Sequence, residues 1–113
     1  GQASLDDLAR RVGRPLEMLR FRPNLVVSGA EPYAEDGWKR IRIGQLTFRV
    51  VKPCSRCVIP TLDPATGERA PDREPLNTLL SYRKGPGGVF FGQNLIAEGR
   101  GELEVGMPVE RLE

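Results

Sequence analysis

The chain has 113 residues, 39% hydrophobic and 28% charged, which suits one soluble globular domain and excludes a second domain or a disordered chain. Seventeen Lys and Arg against fifteen Asp and Glu leave a formal charge of only +2, so no large positive field is present to draw in nucleic acid or anionic lipid. Two Cys and no His exclude haem ligation by His and cannot supply the four ligands of an ordinary iron–sulfur cluster or closed zinc site.

No apolar run approaches the roughly 20 residues needed to span a bilayer, and the start lacks the basic-then-apolar pattern of a signal peptide, so a cytoplasmic protein is expected. The first residue is Gly1, and Met18 and Met107 are the only methionines, as expected of a chain cut from a longer protein.

Ser4-Leu5-Asp6-Asp7 reads as an N-cap with an acidic residue three positions on; Leu8, Ala9 and Val12 share a face and Gly13 is the stop, which predicts a short amphipathic helix. Pro15 to Leu19 reads as a further helical turn. After Arg22-Pro23-Asn24, the run Leu25-Val26-Val27-Ser28-Gly29 predicts a short buried strand. Glu31 to Gly37 is loop by its Pro, Asp and Gly content. Trp38, Ile41 and Ile43 lead through Gly44-Gln45 to Leu46, Phe48 and Val50, and this alternation predicts a hairpin with Thr47, Arg49 and Val51 on the other face.

Cys54 and Cys57 should lie in a turn leaving that strand, with Val58-Ile59 strand-like beyond them and Asp63 to Gly67 a turn. Glu74 to Tyr82 predicts a second helix with Pro75 in its first turn. Past the Gly85-Pro86-Gly87-Gly88 break, Val89 to Ala97 reads as a strand containing Gly92, and Leu103 to Val105 and Val109 to Leu112 as two short strands around Gly106. Many short strands with two helices make the class mainly β, and a small barrel is expected in preference to a sandwich.

Three places could carry chemistry. Cys54 and Cys57 form a lone Cys-x-x-Cys, open to zinc, to dithiol redox, to metal ligation by a thiolate, or to burial as two small hydrophobes. Lys52 and Arg56 flank the pair and Ser55 adds a hydroxyl; a nearby positive charge favours thiolate, which is both nucleophile and soft metal ligand. Arg22-Pro23-Asn24 is either a solvated Arg with a turn-forming Asn, or a donor fork matched to phosphate beside an amide matched to a heterocycle edge. Gly85 to Gly88 has the composition of a phosphate cradle but no following Lys-Ser/Thr and helix, the pattern of a plain linker.

Phe21-Arg22-Pro23-Asn24-Leu25, Tyr33-Ala34-Glu35-Asp36 to Trp38, Cys54-Ser55-Arg56-Cys57, Asp63-Pro64 to Thr66-Gly67, Pro75-Leu76 to Leu79 with Ser81-Tyr82-Arg83, and Phe91-Gly92-Gln93 occur in one order. Together they resemble the C-terminal part of the MOSC domain (molybdenum cofactor sulfurase C-terminal domain), most closely in the amidoxime-reducing components and their bacterial relatives. The resemblance spans 1–113 and implies a mainly β fold of the pyruvate-kinase-barrel-like kind, with two short helices.

It also implies a pterin-based molybdenum cofactor (molybdopterin), with Cys57 as catalytic residue and protein ligand to the metal, and Arg22, Asn24, Ser55, Arg56 and Asn94 as cofactor contacts. Cys54 would be structural or a neighbour. The family label carries an association with pyridoxal phosphate as well. The implied activity is reduction of N-hydroxylated compounds such as amidoximes and hydroxylamines, with electrons from a separate haem or iron–sulfur protein. The alternative within the family is a non-catalytic cofactor-binding or sulfur-carrying module with a reactive cysteine.

Overall fold

The structure is a computed structural model that describes residues 1–57 and 59–113. Helix α1 (Gln2–Val12) is followed by two 3-10 turns (Met18–Phe21 and Ala34–Gly37), then strands β1 (Arg40–Ile43) and β2 (Leu46–Arg56). A third 3-10 turn (Ile59–Thr61), helix α2 (Leu76–Tyr82) and strands β3 (Lys84–Gly85), β4 (Gly88–Ala97) and β5 (Val109–Arg111) complete the chain.

The predicted hairpin is present. β1 and β2 pair antiparallel with Ile41 opposite Phe48 and Ile43 opposite Leu46, joined through Gly44-Gln45. Gly44 has φ 60°, the left-handed conformation that a two-residue hairpin turn demands at its first position. The strands form one antiparallel sheet in the order β3-β4-β2-β1-β5. It ends at β3 on one side and β5 on the other without closing, so the mainly β class holds while the described residues do not form the expected barrel.

β2 does most to shape the site. β1 pairs with it only as far as Arg49, whereas β4 follows it from Phe48 to Arg56. Against β4 the register shifts twice, between Val50 and Lys52 and between Pro53 and Ser55. In the second shift Cys54 faces a stretch of β4 with one residue too many, and Gly92 there has φ 87°. Such bulges bend a strand and re-aim its side chains.

The apolar residues gather in two clusters. Leu5 and Leu8 of α1, Leu76 and Leu79 of α2, and Phe21, Val89 and Phe91 form one. Ile41, Ile43 and Phe48 form the other under the β1–β2 hairpin, with Trp38, Leu95, Leu103 and Met107 packed against it. The alternation of β1, β2 and β4 explains why one sheet face supplies both.

Several expectations are corrected. Leu25 to Gly29 is not a strand; Leu25 and Val26 are exposed, and the Val27 carbonyl accepts from the Gln2 N–H at 2.7 Å with no strand alongside. The run is apolar because Leu25 and Val27 wall a cleft, not because they enter a sheet. Leu103 to Val105 is irregular too: Leu103 packs inward while Val105 stands fully out in solvent, and no described strand pairs with the segment.

Ser4 does not cap α1, which begins at Gln2; its hydroxyl is buried and donates to Glu35 at 2.6 Å. Cys54 lies within β2 rather than in a turn, because β4 pairs alongside that strand to its end. Ile59 opens a 3-10 turn instead of a strand, and Val58 lies outside the described residues. The helical turn expected over Pro15 to Leu19 forms later, as the 3-10 turn Met18–Phe21.

Helix α2, the Asp63 to Gly67 turn and the β4 and β5 strands agree with the sequence reading. Gly85 to Gly88 is the hairpin turn between β3 and β4, with Gly85 opposite Gly88. Among the described residues no helix is long and apolar enough to cross a membrane.

Candidate functional site

The two apolar clusters do not merge, and between them lies a cleft of about 680 Å³. Phe21 and Phe91 of the first cluster, whose rings stack at 4.5 Å between centroids, form one wall. Ile41 and Phe48 of the second also line the cleft. Volumes of this order accommodate a small organic ligand or cofactor.

The polar part of the rim comes from two directions. Arg22, Pro23 and Asn24 enter from the irregular segment after the first 3-10 turn, and Gln93 and Asn94 from β4. Arg22 caps that turn in a left-handed conformation, φ 50°, its N–H donating to the Leu19 carbonyl at 3.1 Å. A non-glycine residue held there stores on the order of 1–3 kcal/mol of strain, a feature that clusters at ligand sites. Among the described residues, the Arg22 guanidinium and the Asn24 and Asn94 amides make no hydrogen bond or ion pair. Three uncommitted polar groups therefore converge on one cleft.

Arg56 also lines the cleft, but its guanidinium is committed. Nε donates to the Phe91 carbonyl at 2.8 Å and one terminal nitrogen to the Phe21 carbonyl at 3.0 Å, and the group lies 5.2 Å over the Phe21 ring. Burial lowers its pKa while the two neighbouring cysteines act the other way, and an arginine so placed remains charged. Arg56 thus ties β2 to β4 and to the segment that delivers Arg22.

The remaining predicted residues are divided by the strand. Cys54 is half-buried and lines the cleft. Ser55 is exposed on the other face, its Cβ near the place a side chain on Gly88 would occupy. Cys57 is an exposed free thiol just past the end of β2, outside the cleft wall. Of the predicted set, the structure brings Arg22, Asn24, Arg56 and Asn94 together and leaves Ser55 and Cys57 beside them.

Sequence reasoning missed a second group of polar residues. Gln93 donates through Nε2 to Asp36 Oδ1 at 2.8 Å, and Asp36 receives both terminal nitrogens of Arg83, at 2.6 and 3.1 Å. Burial lowers the pKa of Arg83, but its pairing with Asp36 outweighs this and the net displacement is upward. The Arg83 guanidinium covers the Tyr33 ring, and the Tyr33 hydroxyl donates to Asp7 at 2.9 Å and contacts the Tyr82 hydroxyl. Burial, reinforced by those hydrogen bonds, pushes the Tyr33 pKa well up. Gln93, Asp36 and Arg83 all stand in segments that carry the family resemblance, but sequence reasoning assigned them no role.

The family model for the MOSC domain matches residues 1–110. Mitochondrial amidoxime-reducing component 1 of Homo sapiens is 41% identical, covering 96% of this chain and 34% of its own length. Mitochondrial amidoxime reducing component 2 of Rattus norvegicus is 42% identical over 98% of this chain and 35% of itself. Molybdenum cofactor sulfurase of Oryza sativa subsp. japonica is 44% identical over 81% of this chain and 12% of itself. The chain thus spans about a third of the amidoxime-reducing components and about an eighth of the sulfurase. With residues 1–110 matched by the family model and relatives more than 40% identical over most of its length, the chain belongs to the MOSC domain family.

Proposed function

We infer that residues 1–113 are the C-terminal part of a MOSC domain that binds the molybdenum cofactor in an oxidoreductase acting on N-hydroxylated compounds, amidoximes and hydroxylamines among them. The observation that carries this is the convergence of the uncommitted Arg22, Asn24 and Asn94 on one cleft beside the cysteine-bearing strand. The donor set fits the group. Arg22 offers a planar fork for a phosphate, Asn24 and Asn94 offer amides that both give and accept as a pterin edge requires, and Phe21 and Phe91 offer apolar faces. Cys57 has an exposed thiol that no disulfide occupies, and a metal carried by its own organic cofactor asks only one soft ligand of the protein.

When bound, the cofactor supplies the two-electron chemistry. This chain's residues bind and orient it: Arg22 holds the phosphate, the two asparagines hold the ring edge, and Arg56 holds the walls in register. Replacing an N–O bond by N–H with release of water consumes two electrons and two protons. A separate haem or iron–sulfur protein delivers the electrons. The open sheet would be closed into a barrel by other parts of the longer protein. Pyridoxal phosphate is not favoured, because none of the lysines lines the cleft.

A sulfur-carrier role is the second reading, and the exposure of Cys57 outside the cleft favours it. A dithiol mechanism is opposed by geometry. Cys54 lies within β2 and lines the cleft, whereas Cys57 lies past the end of the strand and outside that lining.

The test is a pair of single variants of the full-length protein, assayed for molybdenum, activity and melting temperature. Cys57→Ser should abolish reduction of N-hydroxylated substrates and deplete metal while the melt is unchanged, and Cys54→Ser should keep most activity. Equal loss from both, or full activity without Cys57, overturns the assignment. A persulfide on Cys57 that passes its sulfur to an acceptor, with no metal bound, establishes the carrier.

A further inference from the structure

Gln93 differs from the other amides at the cleft because one end of it is held. Its Nε2 donates to Asp36 Oδ1 at 2.8 Å, and Asp36 is itself clamped by Arg83, which anchors through Nε to the Phe90 carbonyl at 3.0 Å. An ionised carboxylate can only accept hydrogen bonds, so the nitrogen end of the amide must face Asp36; the reverse would set oxygen against oxygen. The carbonyl oxygen is the end left over, and it accepts from no described residue. The cleft lining thus carries, as well as Arg22, which can only donate, an amide acceptor of fixed orientation.

The geometry points to Gln93 as a specificity-determining residue whose carbonyl oxygen accepts an N–H from the bound ligand, with Asp36 as the positioning residue that stops the amide from turning over. It rests on the function proposed above and names what that site reads. A ligand meeting both groups carries an N–H edge for Gln93 and an anionic group for Arg22. The aminopyrimidinone edge of a phosphorylated pterin has both, and the amino group of an amidoxime supplies the first. The shared chemistry is the N–H donor.

Three variants of the full-length protein, produced in cofactor-making cells, test it. Gln93→Met removes the acceptor at similar length without touching the Asp36–Arg83 pair. Asp36→Asn frees the amide to turn. The double variant Asp36→Asn with Gln93→Glu exchanges donor and acceptor between the positions and again leaves an acceptor oxygen free. The readouts are the rate at which pterin is lost on dilution, followed by fluorescence of the oxidised pterin, the KM for an amidoxime, and the melting temperature.

Gln93→Met should speed pterin loss or raise KM about tenfold, the worth of one neutral hydrogen bond, at an unchanged melt. Faster pterin loss assigns the N–H to the cofactor, and a raised KM alone assigns it to the substrate. The double variant should return within about twofold of the parent, since a charged acceptor is at least as strong. If Gln93→Met leaves both quantities at parental values, or shifts them only as far as folded protein is lost, the inference is overturned. A parent protein holding neither pterin nor molybdenum sinks the proposed function, and this inference with it.

Discussion

Arg22 and Arg56 place the same side chain at one cleft with opposite commitments. Arg56 spends its donors on two backbone carbonyls, and hydrogen bonds from a charged group typically contribute about 1.5–3 kcal/mol. Arg56→Met should therefore lower stability by roughly that amount in a denaturant titration. Among the described residues Arg22 bonds to nothing through its side chain, and it sits in left-handed backbone. Arg22→Gly should relieve about 1–2 kcal/mol of backbone strain against the ~0.5–1 kcal/mol that a glycine costs in chain entropy. The variant should melt no lower than the parent, yet lose its cofactor. If Arg22→Gly destabilises while cofactor content is kept, Arg22 is structural. The sequence marked both arginines as candidates without separating them, because a solvated fork and a fork buried against carbonyls have the same spelling. Gln93 and Asp36 escaped for a related reason: their contact joins positions 57 residues apart.

Among the elements, those with a local cause were legible. The β1–β2 hairpin is written in its alternation and its Gly44-Gln45 turn, and β4 in the alternation around Gly92. Leu25 to Gly29 and Leu103 to Val105 have the composition of strands, but a strand needs a partner, and neither segment joins the sheet. The two register shifts along β2 could not be read at all, since register is a relation between strands. Gly92 sits at the second shift, and a Cβ added there would lie 3.2 Å from the Arg56 guanidinium as well as being strained at φ 87°. Gly92→Ala should cost at least about 1–2 kcal/mol and loosen the wall that Arg56 holds. A midpoint shift at constant denaturant slope would show this; an unchanged midpoint would mean that β4 does not need the bend.

At the scale of the whole molecule, ion pairs and hydroxyls tie the helices to the rest of the chain and set its pH window. Arg14, just past α1, pairs with Asp72 ahead of α2, and this pairing holds the Asp72 pKa down to about 2. The Arg11 guanidinium likewise lowers Asp7. A depressed carboxylate contributes stability above its unfolded pKa, near 3.8, that is lost as pH falls through the folded value. Tyr33 and Tyr82, raised first of all by burial, contribute stability below 10.0 that is lost as pH rises further. The melting temperature should be flat between these limits and fall outside them. Asp72→Asn should flatten the acid side and Tyr33→Phe the alkaline side; limbs unchanged in both variants would refute the assignment. The same long view applies to β2, which outruns β1 so that its last residues have β4 on one side and no described strand on the other. An unpaired sheet edge is a template on which further chains can stack, and proteins blunt such edges with proline and lysine. Lys52 and Pro53 stand in that stretch, and both discourage a second copy of the chain from pairing along the edge that carries Cys54.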